Sequence, residues 1–354
     1  MGDTAKTREP LWDVLRGFAI ILVVFAHCIQ NGSGAEYSEN ALYFGNRVYQ
    51  FIYSFHMPLF MLVSGYLCYE SMQRADAAGE RKRLLVTRMR TFILPIFSWT
   101  AIDYARILIL NHIYGQPQPE AIVFVYFYNA LNNLWFLWAV WWSFIVVYVV
   151  HYIFHDNVCI YAIIFLLFFV FPDGLNMGAY KYMLPYFTTA FYGHNMFKKR
   201  TWELGVKKHI LLTVLLGFCF LALFCFYNEE SFIYLTGYKL IGRGSINAVL
   251  RQLATDIYRM AVGFAGSLFF IMLWRMILQK VNVRLLMLVG RNSLGIYILS
   301  GYLIVFGVQR LTFAGSQSYG INFLEAMAVL LSSLALSELM GKIPLLKTLV
   351  GKHG

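Results

Sequence analysis

The chain has 354 residues, of which 59% are hydrophobic and only 13% are charged, and its mean hydropathy is +0.60. Soluble domains carry roughly 25% charged residues, so this composition excludes an ordinary soluble protein and predicts a polytopic membrane protein. The net charge of +11 does not indicate nucleic-acid binding, because the basic residues lie between apolar runs and not on one soluble module.

Apolar segments recur along the whole chain and predict an all-α integral membrane protein, a bundle of about ten transmembrane helices. We expect a single domain over residues 1–354, with a core at about 10–345. The first apolar run is too long and too polar for a removable signal peptide. The predicted spans lie near residues 12–30, 46–69, 91–111, 134–154, 158–172, 181–197, 209–227, 252–278, 292–310 and 321–340.

Most of the 29 Lys and Arg residues lie in every second loop between these spans. Cytoplasmic loops of membrane proteins carry such an excess of basic residues. The pattern therefore predicts a multi-pass protein with both termini in the cytoplasm. The turn at residues 155–157 is the exception, because it should be cytoplasmic and carries no Lys or Arg.

The first predicted span carries three ionisable residues, which are costly inside a bilayer and therefore indicate function. Arg16 and His27 are separated by three helical turns, so a helix places them within about 20° of one face and about 16 Å apart along its axis. Asp13 precedes Arg16 by three residues and lies on that face too. One face of this helix is therefore expected to carry an ion pair near one membrane surface and an imidazole in the outer half of the membrane.

The second predicted span contains a histidine at a similar depth. His56 lies about 20 Å from the cytoplasmic end of this span, so it is expected near His27 on a neighbouring antiparallel helix. Two interpretations stay open for His56, namely support of chemistry at His27 and local hydrogen bonding inside the bundle. Pro58 frees a backbone carbonyl, and the pair at residues 64–65 (Ser-Gly) permits close helix packing.

Arg88 and Arg90 stand where the third span begins, apart from the loop arginines that the positive-inside bias explains. Placed against Arg16, they would line a cationic mouth. Arginine binds phosphate groups in a bidentate manner. This arrangement predicts a phosphorylated donor that enters from the cytosol.

Asn133 and Trp135 open the fourth span on the predicted outer side. Tryptophan at this level is usually an interfacial belt residue. The alternative is a carbohydrate platform, since sugars stack on Trp and hydrogen-bond to Asn. Both interpretations stay open.

Two pairs of buried charges are spaced for internal ion pairs, Asp103 with Arg106 and Asp256 with Arg259. Glu325 in the last span has no local partner, so it either pairs with one of these arginines or lines the polar cavity. The five cysteines are odd in number and show no metal-ligand spacing, so we expect small core residues and no disulfide or metal site. They are Cys28, Cys68, Cys159, Cys219 and Cys225.

Four blocks of sequence resemble the membrane acyltransferase-3 family, in the family's order and across most of the chain. At Ser300 this chain departs from the histidine that family members often carry. The blocks are Asp13-Val14-Leu15-Arg16-Gly17 followed by His27; Phe55-His56-Met57-Pro58-Leu59-Phe60 with Ser64-Gly65-Tyr66-Leu67; Leu134-Trp135-Phe136-Leu137; and Gly290-Arg291-Asn292-Ser293-Leu294-Gly295-Ile296-Tyr297.

The resemblance implies an acyltransferase of a bacterial inner membrane, with no bound cofactor or metal. It implies an acyl-CoA co-substrate, usually acetyl-CoA, bound from the cytoplasm, and a carbohydrate or lipid-linked sugar as acceptor. His27 would be the catalytic residue, and Arg16, Arg88 and Arg90 would bind the donor or orient the site.

From the residues themselves, Asp13 and His56 are expected to support this site. Asn133, Trp135 and Glu325 are candidates on the acceptor side. Buried Arg, Asp and His also suit a translocation path, so a transporter or exporter of an anionic glycolipid or small solute is the alternative. The oligomeric state does not follow from the sequence.

Overall fold

The computed structural model describes residues 9–32, 40–202, 205–310 and 318–352. Within these ranges the chain forms helices, turns and loops and no β-strand, which confirms the predicted all-α class. The helices of eight residues or more are α1 (Pro10–Gly32), α2 (Arg47–Ala77), α3 (Arg81–Ile113), α4 (Ile122–Asn132), α5 (Trp135–Tyr152), α6 (Val158–Val170), α7 (Met177–Trp202), α8 (Val206–Phe224), α9 (Ile246–Leu278), α10 (Arg284–Arg291), α11 (Ser293–Phe306) and α12 (Tyr319–Lys342).

In the part of the chain that the structure describes, seven helices are long and apolar enough to cross a membrane, namely α1, α2, α3, α5, α8, α9 and α12. The number becomes eight if α10 and α11, which meet at an angle of 76°, form one broken span. The predicted fifth and sixth spans appear as α6, which has only 13 residues, and α7, which has 26 but is more polar. The predicted number of about ten therefore depends on α6 and α7.

The chain forms two compact units, and each of them is discontinuous in sequence. The chain passes from one unit to the other five times, within α2, α7, α9 and α12 and between residues 228 and 229, so neither unit is a separate sequence module. The single domain expected from the sequence stays a prediction. The first unit comprises Met1–Val63, Met196–Asn228 and Ala261–Glu338, and the second comprises Ser64–Asn195, Glu229–Met260 and Leu339–Gly354.

In the first unit, α1 packs against the short helix α10 through two glycines. Gly17 lies against the carbonyl group of Leu286, and Gly290 lies against the carbonyl group of Asp13. A Cβ atom at either glycine would overlap these backbone atoms. The two helices therefore approach each other as closely as small residues allow in membrane proteins.

A side-chain hydrogen bond marks the break between α10 and α11. Asn292 accepts a hydrogen bond from the hydroxyl of Ser337 on α12, at 3.1 Å, and donates one to the carbonyl of Leu288, at 3.0 Å. These two hydrogen bonds pair the Leu288 carbonyl and the Asn292 side-chain amide at the bend. They therefore stabilise the change in helix direction inside the unit.

In the second unit, the turn after α5 lies beside the turn between α2 and α3. The Arg81 guanidinium pairs with Asp76 at 2.6 Å and lies 4.5 Å from the centre of the Tyr152 ring. His151 at the end of α5 lies 4.0 Å from Asp76. The turn at residues 153–157, which has no Lys or Arg, is therefore at the same end as the arginine-rich start of α3.

The loops at the other end of this unit also meet each other. Asn176, after α6, donates a hydrogen bond to the carbonyl of Asn132, just before α5, at 3.2 Å. His194 on α7 lies 3.6 Å from Glu70 on α2, back at the first end. Helices α5, α6 and α7 each run from one end of this unit to the other, as the predicted alternation requires.

The prediction that the cysteines are core residues is wrong for three of them. Cys28 and Cys68 are buried, and all five thiols are free. Two of the other three lie on helices α6 and α8 and the third directly follows α8, all within apolar sequence, so hydropathy alone did not distinguish them from core residues. The exposed residues are Cys159, Cys219 and Cys225.

Candidate active site

A buried carboxylate organises a cationic cluster at the N-terminal end of α1. The Asp13 side chain is only 1% exposed. One of its oxygens accepts a hydrogen bond from Arg16 at 2.7 Å, which is the predicted ion pair, and the other accepts one from Arg291 at 3.1 Å. Two guanidinium groups on one carboxylate leave a net positive charge. The Arg291 side chain is 58% exposed, so this charge is accessible.

Arg291 is a functional candidate that sequence patterns did not single out. In the sequence it is one of several basic residues before an apolar span, which the positive-inside bias explains. Its approach to Asp13 depends on the contact between Gly290 and the backbone of α1. In the sequence, the only indication of a role for Arg291 is that it stands next to Gly290 in one of the four blocks that resemble the family.

His27 has one ring nitrogen engaged and one available. Its Nδ1 lies 3.1 Å from Oε1 of Gln30, and its backbone carbonyl accepts a hydrogen bond from the Asn31 amide at 2.9 Å. With Gln30 as acceptor, Nδ1 carries the proton and Nε2 keeps its lone pair. Among the described residues nothing hydrogen-bonds to Nε2. An imidazole in this state can accept a proton or act as a nucleophile.

The structure brings His56 near His27 in the first unit, as the sequence predicts. His56 is buried and donates from Nδ1 to the carbonyl of Ile52 at 2.7 Å, and its ring lies 4.8 Å from that of Tyr53. Local hydrogen bonding is therefore present, and a supporting role beside His27 stays a prediction.

A row of tyrosines joins the surroundings of His27 to those of His56. Gln30, the partner of His27, is also hydrogen-bonded to Tyr43. The Tyr43 ring lies 5.0 Å from that of Tyr49, which stacks on Tyr53 at 4.1 Å. Burial raises the pKa of Tyr43, which precedes α2, so its hydroxyl stays protonated. Composition alone did not distinguish these tyrosines among 24 in the chain.

Glu325 lies against the last turn of α1, one turn beyond His27. Its Oε2 atom is buried without a hydrogen-bond partner, and it occupies the space that a Cβ atom on Gly32 would need. Asn322 lines the same space. Among the described residues Glu325 makes no ion pair with an arginine, and its lining of a polar cavity stays a prediction. Nearby, Gln309 donates to the Asn31 side chain at 2.6 Å.

Arg88 and Arg90 belong to the second unit and point in different directions. Arg88 donates to the Ser71 hydroxyl at 2.9 Å and lies 6.0 Å from the centre of the Phe144 ring. Arg90 is exposed, since residues two apart on a helix do not share a face. Their approach to Arg16 stays a prediction.

Asn133 and Trp135 are also in the second unit, where their contacts stabilise the start of α5. Asn133 donates to the Thr100 hydroxyl at 3.0 Å and accepts from the backbone N–H of Leu134 at 2.9 Å. Leu134 has a φ of 47°, which is unfavourable for a residue with a side chain. The Trp135 ring lies 6.0 Å from that of Tyr234. A role for Asn133 and Trp135 in acceptor binding stays a prediction.

Both ion pairs expected from spacing are present, but only one of them is buried as predicted. Arg106 pairs with Asp103 at 2.9 Å, and Arg259 pairs with Asp256. The second pair is fully buried, and Arg259 also donates to the Thr236 hydroxyl, at 3.0 Å. The Arg106 and Asp103 side chains are 39% and 34% exposed, so the prediction of a buried pair is wrong for them.

Comparison with known proteins identifies the family. The sequence matches the acyltransferase-3 family, described as an acyltransferase domain, over residues 10–341. The chain belongs to this family. It is thus a membrane acyltransferase, and helices α1 to α11, the cationic cluster and His27 all lie within the matched region.

Two relatives carry the name nodulation protein NolL. The protein from Sinorhizobium fredii (strain NBRC 101917 / NGR234) is 32% identical over 145 residues, which are 40% of this chain and 36% of that protein. The protein from Mesorhizobium japonicum (strain LMG 29417 / CECT 9101 / MAFF 303099) is 24% identical over 304 residues, which are 84% of this chain and 76% of that protein. No solved structure matches this chain.

Proposed function

We propose that this protein transfers an acyl group, most simply acetyl, from cytoplasmic acyl-CoA to a hydroxyl group of a cell-surface carbohydrate or its lipid-linked precursor. The observation that carries the proposal is the pair of sites along α1. One end of the helix bears a cationic cluster, and a histidine with an available ring nitrogen lies three turns further along.

The cationic cluster suits the phosphates of CoA. Arg16 and Arg291 are both oriented by Asp13. A guanidinium group can bind two oxygens of one phosphate at the same time. His27 lies about 16 Å along the helix from Arg16, a distance that an extended pantetheine arm can cover. Arg88 and Arg90 are further candidates for the donor phosphates. The protein needs no bound cofactor in this reaction, because the thioester itself supplies the activated acyl group.

His27 acts through Nε2 in one of two ways. As a general base it takes the proton of the acceptor hydroxyl, whose oxygen bonds to the acyl carbon while the carbon–sulfur bond breaks. The CoA thiolate then takes the proton from the imidazolium. As a nucleophile, Nε2 bonds to the acyl carbon while the carbon–sulfur bond breaks and the CoA thiolate leaves. The acceptor oxygen then bonds to the acyl carbon while the carbon–nitrogen bond breaks, and the hydroxyl proton passes to the thiolate. Gln30 fixes the ring orientation in both cases.

The acceptor side of the proposed site is the end of α1 that carries His27. Amide side chains, tyrosine hydroxyls and a carboxylate are the groups that bind sugar hydroxyls, and Gln30, Asn31, Tyr43, Gln309 and Glu325 all lie there. Under the predicted topology this end faces outward, with both termini on the cytoplasmic side of the inner membrane. A carbohydrate acceptor would then meet a cytoplasmic donor within the protein.

Replacement of His27 by Ala tests the proposal. Loss of a catalytic acid–base or nucleophilic group should lower the rate by at least about 100-fold. The assay follows label from acetyl-CoA into the carbohydrate and lipid fractions of membranes at matched expression. The control is His112→Ala, because His112 is exposed near the end of α3. Full activity in the His27 variant, or labelled solute crossing the membrane unmodified, would contradict the proposal and favour a transporter.

A further inference from the structure

A groove of about 640 Å³ on the first unit is not used by the proposed reaction. It is bounded by α1, α10 and α12, and its lining is apolar except for Asn282 and Arg284 at the N-terminal end of α10. Ile21, which lines it from α1, is about 140° around the helix from Arg16. The groove therefore lies on another side of α1 from the cluster and His27.

The depth of the groove matches one leaflet of a bilayer. Ile21 lies 11 residues from the start of α1, and Leu331 lies 11 residues from the end of α12. Both residues are therefore about 16 Å along their helices from the end that should be cytoplasmic. One leaflet of hydrocarbon is about 15 Å thick. The groove thus extends from the cytoplasmic surface to about the middle of the membrane, and Met327, which lines its deep end, lies about one turn further along α12.

An unpaired cation lies at the surface end of this groove. Arg284 is exposed and makes no hydrogen bond or ion pair with the residues that the structure describes. Its neighbour along the chain, Leu285, is 66% exposed, and Leu331 on α12 is 53% exposed. A guanidinium beside exposed apolar side chains is complementary to a molecule with an anionic head and an apolar chain.

We propose that this groove binds one acyl chain of an anionic phospholipid of the cytoplasmic leaflet and that Arg284 pairs with the lipid phosphate. Leu286 lines the groove and also contacts Gly17 through its carbonyl. A bound lipid therefore lies against the helix that holds Arg291 near Asp13. The inference does not depend on the proposed acyl donor or acceptor.

The test uses the full chain purified in detergent and delipidated. Phosphatidylglycerol and phosphatidylcholine with identical acyl chains are added separately, and bound lipid is measured by native mass spectrometry and by the midpoint of thermal unfolding. Wild type should bind phosphatidylglycerol more tightly. Arg284→Ala should weaken that binding about fivefold, the effect expected for one basic residue at an anionic lipid surface. Leu331→Trp should reduce binding of both lipids by filling the groove.

Two controls keep the result specific. Lys280→Ala removes a charge just before the groove-lining segment, and Leu339→Trp enlarges an exposed residue of α12 outside the groove. Neither control should change the preference for phosphatidylglycerol. Equal binding of both lipids, or no effect of Arg284→Ala, would overturn the proposal. Displacement of the lipid by one equivalent of palmitoyl-CoA would also overturn it and assign the groove to a donor chain.

Discussion

At the scale of single residues, the central feature is that Asp13 neutralises only half of the positive charge that it organises. Its two oxygens are each used by a different guanidinium, from α1 and from the end of α10. A buried carboxylate that lost both partners would be costly, and removal of one partner of a buried pair is strongly destabilising. Arg291 is the more exposed partner, so it is the better target for a test of donor binding.

Replacement of Arg291 by Ala is expected to raise KM for acetyl-CoA about tenfold, the effect of one lost charge-assisted hydrogen bond. The value of kcat should change little, because Arg291 is remote from His27. Steady-state kinetics in membranes or detergent measures both constants. Arg291→Lys should restore part of the affinity, and Lys280→Ala serves as the control. A lower kcat at unchanged KM would show that Arg291 does not bind the donor.

The sequence predicts the positions of some site residues and not of others. The face shared by Asp13, Arg16 and His27 follows from helical periodicity, which is local. The approach of Arg291 and the row of tyrosines depends on tertiary packing between distant segments, which periodicity does not encode. Glu325 was recognisable as a buried charge, but its position beside Gly32 was not.

At the scale of helices, sequence patterns located most of the described helices and missed how they meet. Helix α3 begins at Arg81, ten residues before the predicted span at 91–111, because Arg and Lys are good helix formers and extend the helix beyond its apolar part. The predicted span at 292–310 instead follows a separate short helix at an angle of 76°. Bends of this kind depend on contacts such as Asn292 with Ser337.

Replacement of Gly17 by Ala should destabilise the crossing of α1 and α10. The added Cβ would overlap the Leu286 carbonyl group, and overpacking of this kind costs about 1–3 kcal/mol. Activity should fall as well, since α10 carries Arg291. The matched control is Gly301→Ala in α11, where no atom lies within 4 Å of the new methyl group.

Thermal unfolding in detergent compares the two variants. Gly301→Ala should be neutral or stabilising by up to about 1 kcal/mol, the helix-propensity advantage of Ala over Gly. Equal midpoints for both variants would mean that α1 and α10 can separate without cost and that their glycine contact is not a structural constraint.

At the scale of the whole molecule, the number of spans decides the position of the termini. Seven spans would place the two termini on opposite sides of the membrane, whereas eight or ten would place them on the same side. Helices α5, α6 and α7 each connect the two ends of the second unit, so α6 and α7 together add two spans and do not change this parity. Whether the number is odd or even depends on whether α10 and α11 form one span. The concentration of basic residues in alternate loops predicts that both termini lie in the cytoplasm.

Cysteine accessibility tests this topology. The five native cysteines are first replaced by Ala, and single cysteines are then introduced as Lys82→Cys, Gln116→Cys and Lys342→Cys, all at exposed positions. A membrane-impermeant maleimide should label only Gln116→Cys in right-side-out vesicles, since this loop follows α3 on the predicted outer side. The other two positions should react only after the membrane is permeabilised. Labelling of Lys342→Cys but not Lys82→Cys in sealed vesicles would instead establish an odd number of spans and place the C-terminus outside.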